Sequence, residues 1–155
     1  MSEVTNLDAI INEMGFKIAQ IIDETMINKI LGVLANDGVY AMWVFCLNKL
    51  NEKEHSEFLK QMAKLPVKVK DENDKEYELK EKEIDEYIKI LDEIEKHKKD
   101  KTKKEEFKQK QKEKFNQFEN FFQNLSTEVH QLLFFKDMVE KALIYARYHA
   151  KAMGD

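Results

Sequence analysis

This chain of 155 residues is short of everything that usually breaks a backbone: it has four Gly and one Pro. Folds built on sheets and loops draw on such residues at every turn, so their scarcity favours long helices. A single cysteine, Cys46, excludes an intramolecular disulfide, and its place in an apolar run makes it a small buried thiol. No stretch of about 18 uncharged apolar residues is present, and no leader-like segment opens the chain, so a cytoplasmic protein without a membrane span is expected. No glycine-rich phosphate cradle, serine–histidine–aspartate set or cysteine–histidine zinc pattern is found. No catalytic residue, cofactor or metal is therefore expected.

What is present is charge, at 36% of residues against 43% apolar. The net charge of −4 conceals an asymmetry. Residues 1–65 lean acidic, whereas residues 96–114 carry ten Lys against four acids. Local patches of one sign steer association even when the whole molecule carries the other, so a polyanion partner is compatible with this composition. Such a run is also the ordinary solvated face of a helix.

Apolar spacing predicts the elements. Leu7, Ile10, Ile11, Met14, Ile18, Ile21 and Ile22 recur at three and four residues, giving an amphipathic helix over 6–26 that Thr5 or Asn6 would cap. A second run (Met26, Ile27, Ile30, Leu31, Val33, Leu34) either continues it or follows a break near Glu24–Thr25. Asn36-Asp37-Gly38 is the strongest stop signal. Val39 to Leu47 is apolar nearly all round. A buried strand is the rival reading, but a helix is preferred because Asn48 to Asn51 extend the pattern without a turn. Phe58, Leu59, Met62 and Leu65 mark a further helix that Pro66 ends.

Residues 67–79 alternate (Val67, Val69, then Tyr77, Leu79) around the turn formers Asp71 to Asp74, the pattern of a short β-hairpin or an irregular loop. Helical spacing returns at Ile84, Tyr87, Ile88, Leu91 and Ile94, fades over 96–114 except for Phe107, and resumes at Phe115. A projecting solvated helix or partial disorder fits the faded stretch. Ser126-Thr127-Glu128 resembles a fresh N-cap for a last helix over 127–152. The expectation is an all-α, single-domain bundle of five or six helices spanning 1–155. It includes a hairpin at 67–79, a long projecting helix at 81–125 and a Lys/Glu-rich extension at 80–114. The apolar residues of 4–69 and 115–153 make one core if the two ends pack together.

Glu52-x-x-His55 has the spacing of half a carboxylate-bridged di-metal site, but no second copy exists. His55 is therefore read as a surface residue. Glu93/His97 and Tyr145/His149 are four apart, the spacing of surface hydrogen bonds. Two lysine stripes stand out. Lys49, Lys53, Lys60 and Lys64 share a face if 39–65 is nearly continuous helix. Lys136, Arg147 and Lys151, eleven and four residues apart, share another, with Tyr145 and Tyr148 beside Arg147. Such stripes suit a phosphate backbone without reading bases, and each is also the ordinary charged outer face of a soluble helix.

Two segments carry a likeness. Leu34-Ala35-Asn36-Asp37-Gly38-Val39-Tyr40-Ala41-Met42-Trp43-Val44-Phe45, with Lys49 beyond, resembles the helix–stop–apolar helix junction of the small helical subunit of type III-B CRISPR (Cmr) effector complexes. The C-terminal helix from Leu132 to Ala152, with Lys136, Arg147 and His149 among apolar residues, is similar to that family's basic-aromatic last helix. The related type III-A (Csm) small subunit is a near neighbour and the alternative within this resemblance. This chain differs in Asp37 between Asn36 and Gly38, in Val39 where the family has Leu, and in the 80–114 segment. The resemblance implies a non-catalytic subunit in antiviral defence that stacks head to tail with copies of itself, beside other CRISPR effector subunits, along crRNA and target RNA. Lys49, Lys53, Lys60, Lys64, Lys136, Arg147 and Lys151 would then be the phosphate contacts. The competing expectation is a helical interaction adaptor, or a viral structural protein, that binds no nucleic acid.

Overall fold

Three short interruptions set the architecture, and each has a local cause. In the computed structural model, which describes residues 3–154, helix α1 (Glu3–Ile21) ends just before Asp23. Asp23 caps α2 (Glu24–Asp37) by accepting a 2.8 Å hydrogen bond from the Met26 N–H. The break falls one or two residues before the one expected at Glu24–Thr25. α1 begins at Glu3, upstream of Thr5 and Asn6, so neither is its cap.

Gly38 is the second interruption. Its φ of 98° lies in the region glycine enters freely, and its N–H donates to the carbonyls of Leu34 and Val33, which closes α2. α3 (Val39–Lys49) starts at once, and its apolar run is helical, not a strand.

The third interruption overturns one premise. Leu50 is extended and buried, and Asn51 begins a capping box whose side chain accepts from the Glu54 N–H while Glu54 accepts from the Asn51 N–H. α4 (Glu52–Met62) is therefore a separate helix, and 39–65 is not continuous. The apolar sequence through Leu50 hides this corner, although Asn51-x-x-Glu54 is itself a capping signature.

The expected hairpin forms. β1 (Lys68–Lys70) pairs antiparallel with β2 (Glu76–Glu78), placing Val69 opposite Tyr77. Asp71 shapes the turn by accepting from the N–H groups of Asn73 and Lys75. Val67, Val69 and Leu79 are buried. The Lys70 N–H donates to the Glu128 carboxylate at 2.8 Å, tying the hairpin to the start of the last helix.

The long helix expected over 81–125 is divided. α5 (Glu81–Lys96) and α6 (Lys101–Leu125) are joined by a turn at 97–100 and pack against each other as a helical hairpin. Asp100 caps α6, accepting from the Lys103 N–H. The faded stretch is thus ordered helix and turn. Lys114–Glu86 at 2.6 Å, Tyr87 edge-on to Phe118, and His97 stacked on Phe107 join the two helices. Ser126 and Thr127 do not cap the last helix. Their hydroxyls donate back to the Phe122 and Asn124 carbonyls, finishing α6 instead. α7 runs Val129–Gly154.

Seven helices and one hairpin are thus present among the described residues, two or one more helix than expected. Their buried side chains form one core from Ile11 to Ala146. The two ends of the chain do pack together. α1 and α7 make the most extensive contact, at Gly15, where a Cβ would lie 2.7 Å from the Tyr145 Cβ and 2.9 Å from the Ala142 carbonyl oxygen. Trp43 sits at the other centre of packing, stacked on Phe122 and Phe115 with His55 against it. No described helix is long and apolar enough to cross a membrane.

Candidate nucleic-acid interface

The corner at Leu50–Asn51 decides the first stripe. Lys49 ends α3, so helical periodicity no longer places it on the face shared by Lys53 and Lys60, which lie seven residues apart within α4; Lys64 lies just past the end of that helix. Lys53 is exposed but lines a groove of about 400 Å³ between α4 and α5 beside Glu52, Glu57, Asp92 and Glu95, an acidic setting that repels a phosphate. Lys60 Nζ lies 3.0 Å from Asp85, whose hydrogen bond raises the lysine pKa. Lys64 Nζ lies 2.8 Å from Glu13, and hydrogen bonding to that lysine lowers the glutamate pKa. These two lysines tie α4 to α5 and α1 beside a mixed-charge groove of about 420 Å³. Of the four, Lys49 alone is exposed with neither an ion pair nor a place in these grooves.

The second stripe has its helix. α7 is unbroken from 129 to 154, so Lys136, Arg147 and Lys151 fall within about 60° of one another and span about 22 Å of helix. Among the described residues Lys136 and Arg147 make no ion pair, and Lys151 reaches Glu24 only at 4.0 Å. Tyr145 and Tyr148 are both exposed, and the Arg147 guanidinium lies 5.8 Å from the Tyr148 ring centroid. From Ala142 to Gly154 the helix carries no acid.

A third cationic region is the α5–α6 arm. Lys96, Lys98 and Lys114 pair with Glu93, Glu95 and Glu86. Lys101, Lys104, Lys108 and Lys112, at three- and four-residue spacing along α6, form no ion pair among the described residues.

The histidines separate into different roles. His55 is 7% exposed and packed against Trp43, which corrects the surface reading. His55, Phe58, Leu59 and Met62 are one buried face of α4 at three- and four-residue spacing, a periodicity that already contained the histidine. Burial pushes its pKa down to about 4, and its Nε2 has no hydrogen-bond partner. Glu52 faces the α4–α5 groove while His55 faces the core, so the two do not converge on an ion. Among the described residues no group of three or more acids, histidines or cysteines is placed to hold a metal. His97 keeps its surface contact, 3.3 Å from Glu93. His149 packs edge-on to Phe16 at 5.5 Å between centroids. Cys46 is buried, and burial raises its thiol to about 12, far from a reactive thiolate.

Two features were not read from the sequence. Phe16 is exposed beside α7; it falls outside the 7-10-11-14-18-21-22 apolar series, and that misfit was the available signal. Glu119 accepts hydrogen bonds from the Tyr40 hydroxyl (2.5 Å), Trp43 Nε1 (2.8 Å) and Gln123 Nε2 (2.8 Å). Partial burial works to raise its pKa, but the three donors outweigh this and lower it. Trp43 and Tyr40 are 76 and 79 residues away in the chain, so no local pattern announces their part of the cluster.

Compared with known protein families, curated proteins and solved structures, the chain finds no match.

Proposed function

We propose that this protein is a non-catalytic RNA-binding subunit of a ribonucleoprotein, of the kind that stacks along guide and target RNA in type III CRISPR effector complexes. The observation that carries the reading is the last third of α7, where Arg147 and Lys151 lie among exposed tyrosines on a stretch without a single acid. In a chain with 30 acids against 26 bases, a helix stretch whose charges are all cationic favours phosphate. The resemblance of the 34–45 junction and of the last helix supports the same assignment. Lys136, Arg147, Lys151 and Lys49 are the preferred phosphate contacts. Lys60 and Lys64 serve the bundle itself, and Lys53 is disfavoured by its acidic surroundings. Exposed Val129 and Leu133, at the far end of α7, are suited to contact a neighbouring subunit or copy.

The test is a titration of the purified protein with unstructured RNA from low to moderate salt. Binding should be blind to sequence and weaken steeply with salt, by about 0.7 in log–log slope per phosphate contacted. Lys136→Glu, Arg147→Glu and Lys151→Glu together should abolish it. No binding at low salt, or binding indifferent to these changes, rejects the assignment. The exposed Val129 and Leu133 would then favour a helical adaptor that binds protein alone.

A further inference from the structure

Large rings left in water forfeit about 1.5–3 kcal/mol each that burial would return. Three such rings stand together at one end of this bundle. Phe16 and Tyr145 are each 44% exposed and Tyr148 is 60% exposed. They are adjacent because α1 and α7 touch at Gly15, whose Cβ position falls against the Tyr145 Cβ, which brings Phe16 to the His149 ring. Tyr145, Tyr148 and His149 are three- and four-residue neighbours on α7, so their side chains share one surface.

The charges around them select the occupant. The cations adjoin the rings from the Tyr148 side. Lys151 lies three residues beyond Tyr148, whereas Arg147 is about 160° round the helix from Tyr145 and His149. Among the described residues Glu24, 4.0 Å from Lys151, is the one carboxylate paired with either. One turn either side of Phe16 on α1, Asn12, Ala19 and Gln20 are neutral, and Glu13 is paired with Lys64 and Lys17. Arg147 lies close enough to the Tyr148 ring to keep the cation beside the flat face. Aromatic faces bordered on one side by cations make a surface on which unpaired bases stack while their phosphates meet positive charge. A duplex hides its base faces within its own stack and gains from the cations alone. We infer that Phe16, Tyr145, Tyr148 and His149, edged by Arg147 and Lys151, form a stacking platform for unpaired bases, so that the protein prefers single-stranded RNA to duplex. This rests on the RNA-binding reading above and adds the strandedness of the ligand.

The experiment uses the full-length protein and a fluorescent, U-rich RNA strand, alone and annealed to its complement, at low salt. The single strand should bind about tenfold more tightly than the duplex. Tyr145→Leu and Tyr148→Leu, both at exposed positions, should each weaken single-strand binding about tenfold and leave duplex binding unchanged, one stacked base being worth about 1–3 kcal/mol. Tyr148→Phe keeps the ring and should restore the affinity, which a merely structural loss would not allow. Equal binding of both RNAs, or tyrosine variants that bind like the parent, overturns the platform while leaving RNA binding intact. Variants that lose self-association and keep their RNA affinity also overturn it, and assign the patch to a protein contact. No binding of either RNA overturns both readings.

Discussion

At the scale of single residues, the buried histidine governs how this fold responds to acid, and the half-buried Glu119 carboxylate holds the polar end of Trp43. His55 titrates near its ordinary value of 6.5 when unfolded and at about 4 when folded, because burial penalises the imidazolium. Between those values the unfolded chain binds more protons, so stability is full above pH 6.5 and falls as the pH drops toward 4. The shift corresponds to about 3 kcal/mol. Urea unfolding followed through Trp43, the chain's only tryptophan, should show this loss, and His55→Leu should flatten it across that window. An unchanged slope in the variant would remove His55 as its cause. Glu119→Leu should cost about 1–3 kcal/mol by leaving the Trp43 indole N–H unpaired, whereas Glu119→Gln keeps an acceptor and should cost less. Neither behaviour was legible beforehand. The histidine stood between charged neighbours that masked its place on the apolar face, and the glutamate's donors come from a helix far away in sequence.

At the scale of elements, the sequence announced helices better than corners. Gly38 was legible because one residue type meets one backbone need. The corner at Leu50 was not, because a buried leucine continued the apolar pattern through it, and with it went the single face assumed for Lys49 to Lys64. The hairpin was legible from alternation, and its tie to Glu128 was not, since that contact is tertiary. Two glycines inside helices allow a direct comparison of local propensity with packing. Gly32 in α2 has open space around its Cβ position, so Gly32→Ala should raise stability by up to about 1 kcal/mol through helix propensity. Gly15 faces the α7 backbone, so Gly15→Ala gains the same propensity but forces α1 and α7 apart, for a net loss of about 1–2 kcal/mol. Thermal melts of the two variants should shift in opposite directions. A gain at Gly15 would mean that the two helices separate without cost.

At the scale of the whole molecule, charge is segregated, and this decides which lysines can serve a polyanion. The α4–α5 groove gathers Glu52, Glu57, Asp92 and Glu95, while Lys101, Lys104, Lys108 and Lys112 on α6 and Lys136 and Arg147 on α7 form no ion pair among the described residues. Composition shows only the net −4, and the run of lysines at 96–114 was visible without its geometry. The turn at 97–100 converts that run into a paired arm on which Lys101, Lys104, Lys108 and Lys112 are left unpaired. A lysine already resting on a carboxylate gains little from a phosphate, because its own ion pair must first be given up. A lysine without a partner releases counterions from the RNA at no such cost. Changing Lys60 and Lys64 to Gln should therefore leave the salt dependence of RNA binding unaltered, while loosening the contacts of α4 with Asp85 and Glu13. Changing Lys136, Arg147 and Lys151 to Gln should flatten the log–log salt slope by about 2, at about 0.7 per phosphate on a single strand. Salt titrations of the two variants beside the parent measure both. A slope that moves with Lys60 and Lys64 and not with the α7 cations would mean that the RNA path crosses α4, and that the ion pairs seen there open when RNA arrives.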